Sequence, residues 1–149
     1  MADSLYLEIS GFVGTVAQKD YVHAIEVGYF SFDLNRAIEP VSFSGLTITF
    51  LPGGLANQFM QYATHGIDLG SVVLTQYSPS LNHAMHQYTL DGARISKYDL
   101  HQISGSQGSP SATLLLSANR ITYKAYYQDN NGVWLSRSNY YDFLSQSGA

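Results

Sequence analysis

The chain has 149 residues, 45% hydrophobic and only 12% charged, with a formal net charge of −4. That balance excludes intrinsic disorder, and seven basic residues scattered from Lys19 to Arg137 exclude the clustered cationic surface that phosphate binding needs. The absence of cysteine excludes a disulfide framework and a thiolate metal site. The length fits a single domain spanning 1–149, large enough to bury a real core. No apolar run reaches the length of a membrane span. The opening residues, MADSLYLEIS, lack the basic and apolar regions of a secretory signal. So few charges leave a surface of Ser, Thr, Asn, Gln, Tyr and Gly, a composition common where proteins meet other proteins.

In chain order, Leu5, Leu7 and Ile9 alternate with Tyr6 and Glu8, which predicts a short strand closed by Gly11 and Gly14. Thr15 to Val22 is polar and reads as a loop. Ile25 to Leu34 reads as a second strand, with Phe30, Phe32 and Leu34 on one face and Tyr29, Ser31 and Asp33 on the other. Asn35 to Pro40 is a connection. Val41 to Leu51 is a third strand that turns Leu46, Ile48 and Phe50 inward. Pro52-Gly53-Gly54 then breaks the strand.

One helix is expected, around 54–65. Leu55, Phe59, Tyr62 and Ala63 fall on one helical face, and Gly66 stands where a left-handed cap is wanted. His65 lies in the last turn, where the helix dipole favours a cation. A single helix among strands has to cover an open end or side of a barrel or sandwich. Strand character returns near Ser71 to Tyr77 and again from Met85 to Ile103, with Asp91-Gly92 as a bulge or kink. Ser104 to Ser111 is a Gly/Ser loop. Ala112 to Gln128 is the longest strand candidate, with a phase shift at Ala118-Asn119. Asp129 to Gly132 suits a type I′ hairpin turn. A terminal strand follows, anchored by Trp134, Tyr141 and Phe143.

Little here carries chemistry. His83 and His86, with His101 further on, would supply imidazoles for zinc. An i, i+3 pair on a strand points to opposite faces, however, so packing or surface histidines are the simpler reading. Asp129-Asn130-Asn131-Gly132 resembles the start of a calcium loop without the distal bidentate Glu. Gly105-Ser106-Gln107-Gly108 lacks the spacing of a nucleophile elbow, and Gly11 to Gly14 lacks a dinucleotide fingerprint. The reading is of no enzyme, no cofactor and no metal.

The order of segments carries a family resemblance. LEISGFVG at Leu7 to Gly14, AIEVGYFSF at Ala24 to Phe32, VSFSGLTITF at Val41 to Phe50, and FMQYATHG at Phe59 to Gly66 follow one another at a familiar spacing. So do the paired long strands around a Gly/Ser loop between Tyr88 and Gly132, and the terminal YYDFL. Together they resemble the Hcp proteins, the tube components of bacterial type VI secretion systems. The chain departs from the family's pattern at Gly45, in the C-terminal segment, and in its short connection after Asn35.

The resemblance implies a mainly β fold, a two-sheet β-barrel with one flanking helix. It implies a structural subunit that forms hexameric rings, stacked into a tube that a contracting sheath pushes out of the cell. Partners would be other copies of the chain, the sheath, the spike, and small effectors carried in the lumen, with no nucleic acid and no membrane insertion. Location would be the bacterial cytoplasm before firing and the outside afterwards. By analogy Tyr29, Ser31 and Asp33 face the lumen, although an ordinary solvent-facing sheet gives the same alternation. Asn35, Arg36, Ala37, Ile38 and Glu39 fall in the ring-stacking loop. Two other readings remain: a monomeric barrel that binds a small apolar ligand under a helical lid, and a tube subunit of a phage-tail-like machine.

Overall fold

The computed structural model describes residues 3–35, 42–101, 111–143 and 147–148. Its strands are β1 (Ser4–Ile9), β2 (Ile25–Asn35), β3 (Ser42–Phe50), β4 (Gly70–Ser78), β5 (His83–His101), β6 (Ser111–Ser117), β7 (Arg120–Gln128), β8 (Trp134–Asp142) and β9 (Ser147–Gly148). One helix, α1 (Ala56–His65), lies between β3 and β4. All neighbouring strands are antiparallel, in the order β4-β1-β2-β3-β6-β5, and β5 pairs back onto β4. Six strands therefore close into a barrel, from which β7, β8 and the two-residue β9 continue outward. This is the expected mainly β architecture. The two expected sheets are the two walls of one barrel.

β5 belongs to both walls. His83 to Ala93 runs beside β4, His86 to Asp91 also beside β7, and Arg94 to His101 beside β6. The change of partner falls at Asp91-Gly92, where Gly92 has φ +64°. Ala112 to Gln128 is not one bulged strand, as its composition suggested, but two. It breaks at Ala118-Asn119 because the strand opposite bends there: the Asn119 amide donates to Asp91 O at 2.9 Å, and the Asn119 side chain occupies the space a Cβ on Gly92 would need.

The barrel interior is filled. Leu7, Leu46, Ile48, Leu74, Leu90, Leu114 and Leu116 are fully buried, as period-2 alternation requires of inward positions. In β2 the inward parity changes along the strand. Ile25 and Val27 are buried, Phe30 and Phe32 pack against the core, and Gly28 is the extra residue between the pairs Val27–Phe50 and Tyr29–Thr49. That bulge moves Tyr29 and Ser31 to the outer face.

α1 closes one end. Phe59 is fully buried against Phe12, Phe50 and Tyr98, with ring centroids at 4.6, 5.2 and 6.4 Å, and Tyr62 adds an edge contact to Phe12 at 4.9 Å. Tyr98 Oη donates to Ala56 O at 3.3 Å. A 3₁₀ turn at Gly53–Leu55 leads in, and Gly66 ends the helix at φ +62°. The amides of both Gly66 and Ile67 reach back to Tyr62 O, a Schellman-type cap. At the far hairpin, Gly132 has positive φ while Asn130 and Asn131 do not. The loop is therefore a type I turn followed by a left-handed glycine, not the expected type I′. Asp129 Oδ1 accepts from Asn131 N and Val133 N at 2.8 and 2.9 Å, and these bonds favour that geometry.

Gly92→Ala should destabilise the chain by about 1–2 kcal/mol, the cost of placing a Cβ in the left-handed region, with the Asn119 collision in addition. Urea unfolding measures it. Adding Asn119→Ala should recover only the part due to the collision.

Candidate assembly and lumen surface

β2, β3, β6 and the second half of β5 form one wall, and their register sets its outer face. Tyr29 pairs with Thr49, Thr49 with Thr113, and Thr113 with Asp99. Ser31 pairs with Thr47, Thr47 with Leu115, and Leu115 with Lys97. Two rows therefore cross four strands and present mainly hydroxyls, with one cation and one anion at the β5 end. Tyr29 is 58% exposed, and Ser31, Thr47, Thr49, Thr113 and Leu115 are half-buried. Thr49 Oγ1 and Thr113 Oγ1 lie 3.3 Å apart, so the hydroxyls partly satisfy one another. Gly45, which looked atypical in the sequence, adopts φ +134° where Leu115 lies over it and leaves no room for a Cβ.

Of the residues singled out for the lumen, Tyr29 and Ser31 share this outer face. Asp33 follows them in β2, paired with Gly45 of β3, and its side chain lies outside the described residues. Asn35 is the last residue of β2. Arg36, Ala37, Ile38 and Glu39 of the expected stacking loop, like 104–110 of the expected Gly/Ser loop, lie outside the described residues, and Ser111 opens β6.

Two edges of this wall have no strand beside them among the described residues. β1 pairs with β2 only at Ile25, Glu26 and Val27, so Gly28 to Ser31 offers its backbone on the side away from β3. β4 ends beside Ala93, whose carbonyl accepts from Leu69 N at 2.8 Å. Arg94 to His101 of β5 is therefore open on the side away from β6. Next to the β2 edge lies a groove of about 820 Å³, with Val13, Val27, Gly28, Leu51 and Leu55 among its lining.

The histidines separate. His83 stacks on Trp134 at 3.9 Å, and His86 Nδ1 lies 2.7 Å from Tyr123 Oη. His101, at the other end of β5, lies 3.6 Å from Asp99. No cluster of three His, Asp or Glu side chains suited to a metal occurs among the described residues.

The segment read as a polar loop after Gly14 is held more firmly than its composition suggested. Tyr21 packs on Tyr6 and Tyr77 at 5.0 and 5.6 Å. Gln18 Nε2 donates to Tyr77 Oη at 3.0 Å, and Tyr77 Oη donates to Asn82 Oδ1. Burial, with the nearby Glu8 carboxylate adding to it, pushes the Tyr21 phenol up to about 12. The signal was present as aromatics at positions 6, 21 and 77, but their meeting depends on pairing between β1 and β4 that no local pattern states.

No protein-family model matches the chain, and no curated protein is similar to it in sequence. Solved structures are similar throughout its length. A type six secretion system protein shares 15% identity at a TM-score of 0.86, over 99% of this chain and 100% of its own. Hcp1 from Salmonella typhimurium shares 15% identity at a TM-score of 0.84, over 100% of both chains. The secreted protein Hcp3 from Pseudomonas aeruginosa shares 16% identity at 0.67, over 91% of this chain and 97% of its own.

Burial also pushes the Glu8 carboxyl above its ordinary value of 4.5. The folded chain then holds this proton more tightly than the unfolded chain. No penalty exists below pH 4.5; it grows as pH rises through the folded value and stays constant above it. Glu8→Gln should raise Tm at pH 7, and the gain should vanish below pH 4.5; equal gains at both pH values would contradict this. The aromatic cluster around Tyr21 and the hydroxyl-bearing wall are both carried by a barrel whose fold is similar to that of the Hcp proteins of the type VI secretion system.

Proposed function

We propose that the chain is a structural tube subunit of a type VI secretion machine, not an enzyme, and that it assembles head to tail into hexameric rings. The observation that carries this is the four-stranded wall with two different open edges. β2 runs antiparallel to β3, β3 to β6 and β6 to β5. A second copy can thus place its β2 beside the open half of β5 and keep the same alternation. Joining two unlike edges is a heterologous contact, and such contacts close into rings when the rotation permits. It also answers the aggregation hazard that open edges pose.

In that ring the Tyr29 and Ser31 face lines the lumen, together with Asp33. Lys97 offsets Asp99, and Asp33 leaves one net negative charge per subunit on a face otherwise mostly of hydroxyls, which disfavours retention of strongly acidic cargo. Stacked rings, packed through the connection after Asn35, make a tube. Its partners are the sheath, the spike and small effectors, and it leaves the bacterial cytoplasm on firing. No helix among the described residues is long and apolar enough to cross a membrane. The same geometry would serve a phage-tail-like machine.

A small apolar ligand is the second reading. The barrel interior is packed with leucines, so its place would be the groove beside Val13 and Leu51.

Native mass of the purified protein, with negative-stain images of the same sample, tests the assembly. Sixfold mass and ring-shaped particles are expected; a strict monomer at high concentration would contradict the ring and favour the ligand-binding barrel. Ser31→Trp should keep the sixfold mass and lose retained effector. Loss of the ring itself would show that Ser31 is not a lumen position.

A further inference from the structure

The β7–β8 hairpin carries a face that continues the core but has no core beneath it. β7 and β8 stay paired from Arg120–Asp142 out to Gln128–Trp134, whereas β5 accompanies β7 only as far as Ala125, opposite His86. Ile121 is buried and pairs with buried Leu90. Tyr123, two residues on, stacks at 5.1 Å on Tyr88, which meets Phe30 and Phe32 at 5.3 and 5.4 Å. Alternation puts Ala125 and Tyr127 next on this face, with Arg137 and Leu135 opposite them on β8. Tyr127 and Leu135 are 39% and 40% exposed, and Arg137 lies over the Tyr127 ring at 5.5 Å. The other face of the hairpin is settled within the chain. There Trp134 stacks on His83 at 3.9 Å, and Lys124 lies over Tyr126 at 5.1 Å.

Where this face points follows from the barrel. The circuit of strands enters β5 from β6 and leaves it to β4. β7 lies on the edge of the first half of β5 that is turned away from β4, and the second half is open on the edge away from β6. Both therefore lie outside the circuit at the same corner, and the hairpin overhangs the open edge with its core-turned face towards it. We infer that the hairpin is an arm lying over the next copy in the ring, with Tyr127 and Leu135 packed on the inner side of that copy's β2. The inference rests on the head-to-tail ring proposed above and adds the second layer of its junction. A β2 placed antiparallel beside Arg94 to His101 turns its Phe30 and Phe32 to the side on which the hairpin lies. Both rings are half-buried, and β1 pairs with β2 no further than Val27. Tyr127 and Leu135 then cover aromatic surface that a subunit's own strands leave partly open. The two facing walls of the barrel are thereby continued from one copy to the next. Burying one leucine on association is worth about 10- to 100-fold in affinity.

A charge placed on one face of the arm or the other tests this. Leu135→Asp should weaken ring assembly by about 10- to 100-fold, read as the protein concentration at which half the sixfold mass is lost. Ser136→Asp puts the same charge on the opposite face of the same strand and should leave that concentration unchanged. Equal weakening by both substitutions, or none by either, in a protein of sixfold mass would overturn the arm and leave the ring standing. A second measurement does not depend on how the hairpin tolerates a carboxylate. The photo-activated cross-linker benzoylphenylalanine, in place of Leu135, should join copies in a ladder up to six, attached within residues 28–34 of the neighbouring chain. Attachment only within its own chain would overturn the contact, and covalent dimers alone would overturn it in favour of a two-fold one. Monomeric native mass of the unsubstituted protein would overturn ring and arm together.

Discussion

Everything in this chain depends on one strand changing partners. β5 is 19 residues long and hydrogen-bonds to β4 and β7 along its first part and to β6 along its second. A strand cannot serve two walls of a closed barrel without bending, and the bend is made at Gly92, in a conformation that disfavours residues with a Cβ. Asn119 fills the space so created and ties the break between β6 and β7 to it through Asp91 O. The closure of the barrel, the length of its walls and the position of the β7–β8 hairpin follow from this one junction.

The same junction prepares the surface. Once β5 has left β4, its remaining residues have a neighbour on one side only among the described residues, and the bulge at Gly28 together with the short β1 pairing leaves Gly28 to Ser31 of β2 in the same condition at the other side of the wall. A barrel with a filled interior and a helix-covered end thus carries an extended sheet that is incomplete at two unlike edges. For an isolated chain that is a hazard; in the proposed ring it would be the means of assembly. Between the edges the outer face is poor in charge, which suits a wall that other molecules pass.

Much of this was legible in the sequence, because alternation and helical spacing are local. Leu46, Ile48 and Phe50 announced β3, and Phe59 with Gly66 announced the helix and its end. Asp91-Gly92 announced the kink. What was hidden depends on partners distant along the chain. Ala112 to Gln128 looked like one strand because its break is imposed by β5 opposite, not by its own residues. The turn at Asp129 follows the Asp129 carboxylate more than the Asn-Gly pair. Nothing around Gly28 or Leu100 distinguishes an edge from an interior strand, since edges are defined by which strands are missing beside them. The alternation that puts Tyr29 and Ser31 on one face was readable; the Thr and Lys97–Asp99 rows that complete that face came only from register.

The most direct test of this account is amide hydrogen exchange at the two edges. In the assembled protein, outward amides of Gly28 to Ser31 and of Arg94 to His101 should be protected, and both stretches should lose protection together when dilution separates the subunits. Rapid exchange at both edges in a sample of sixfold mass would contradict it, because the ring would then be held by some other surface.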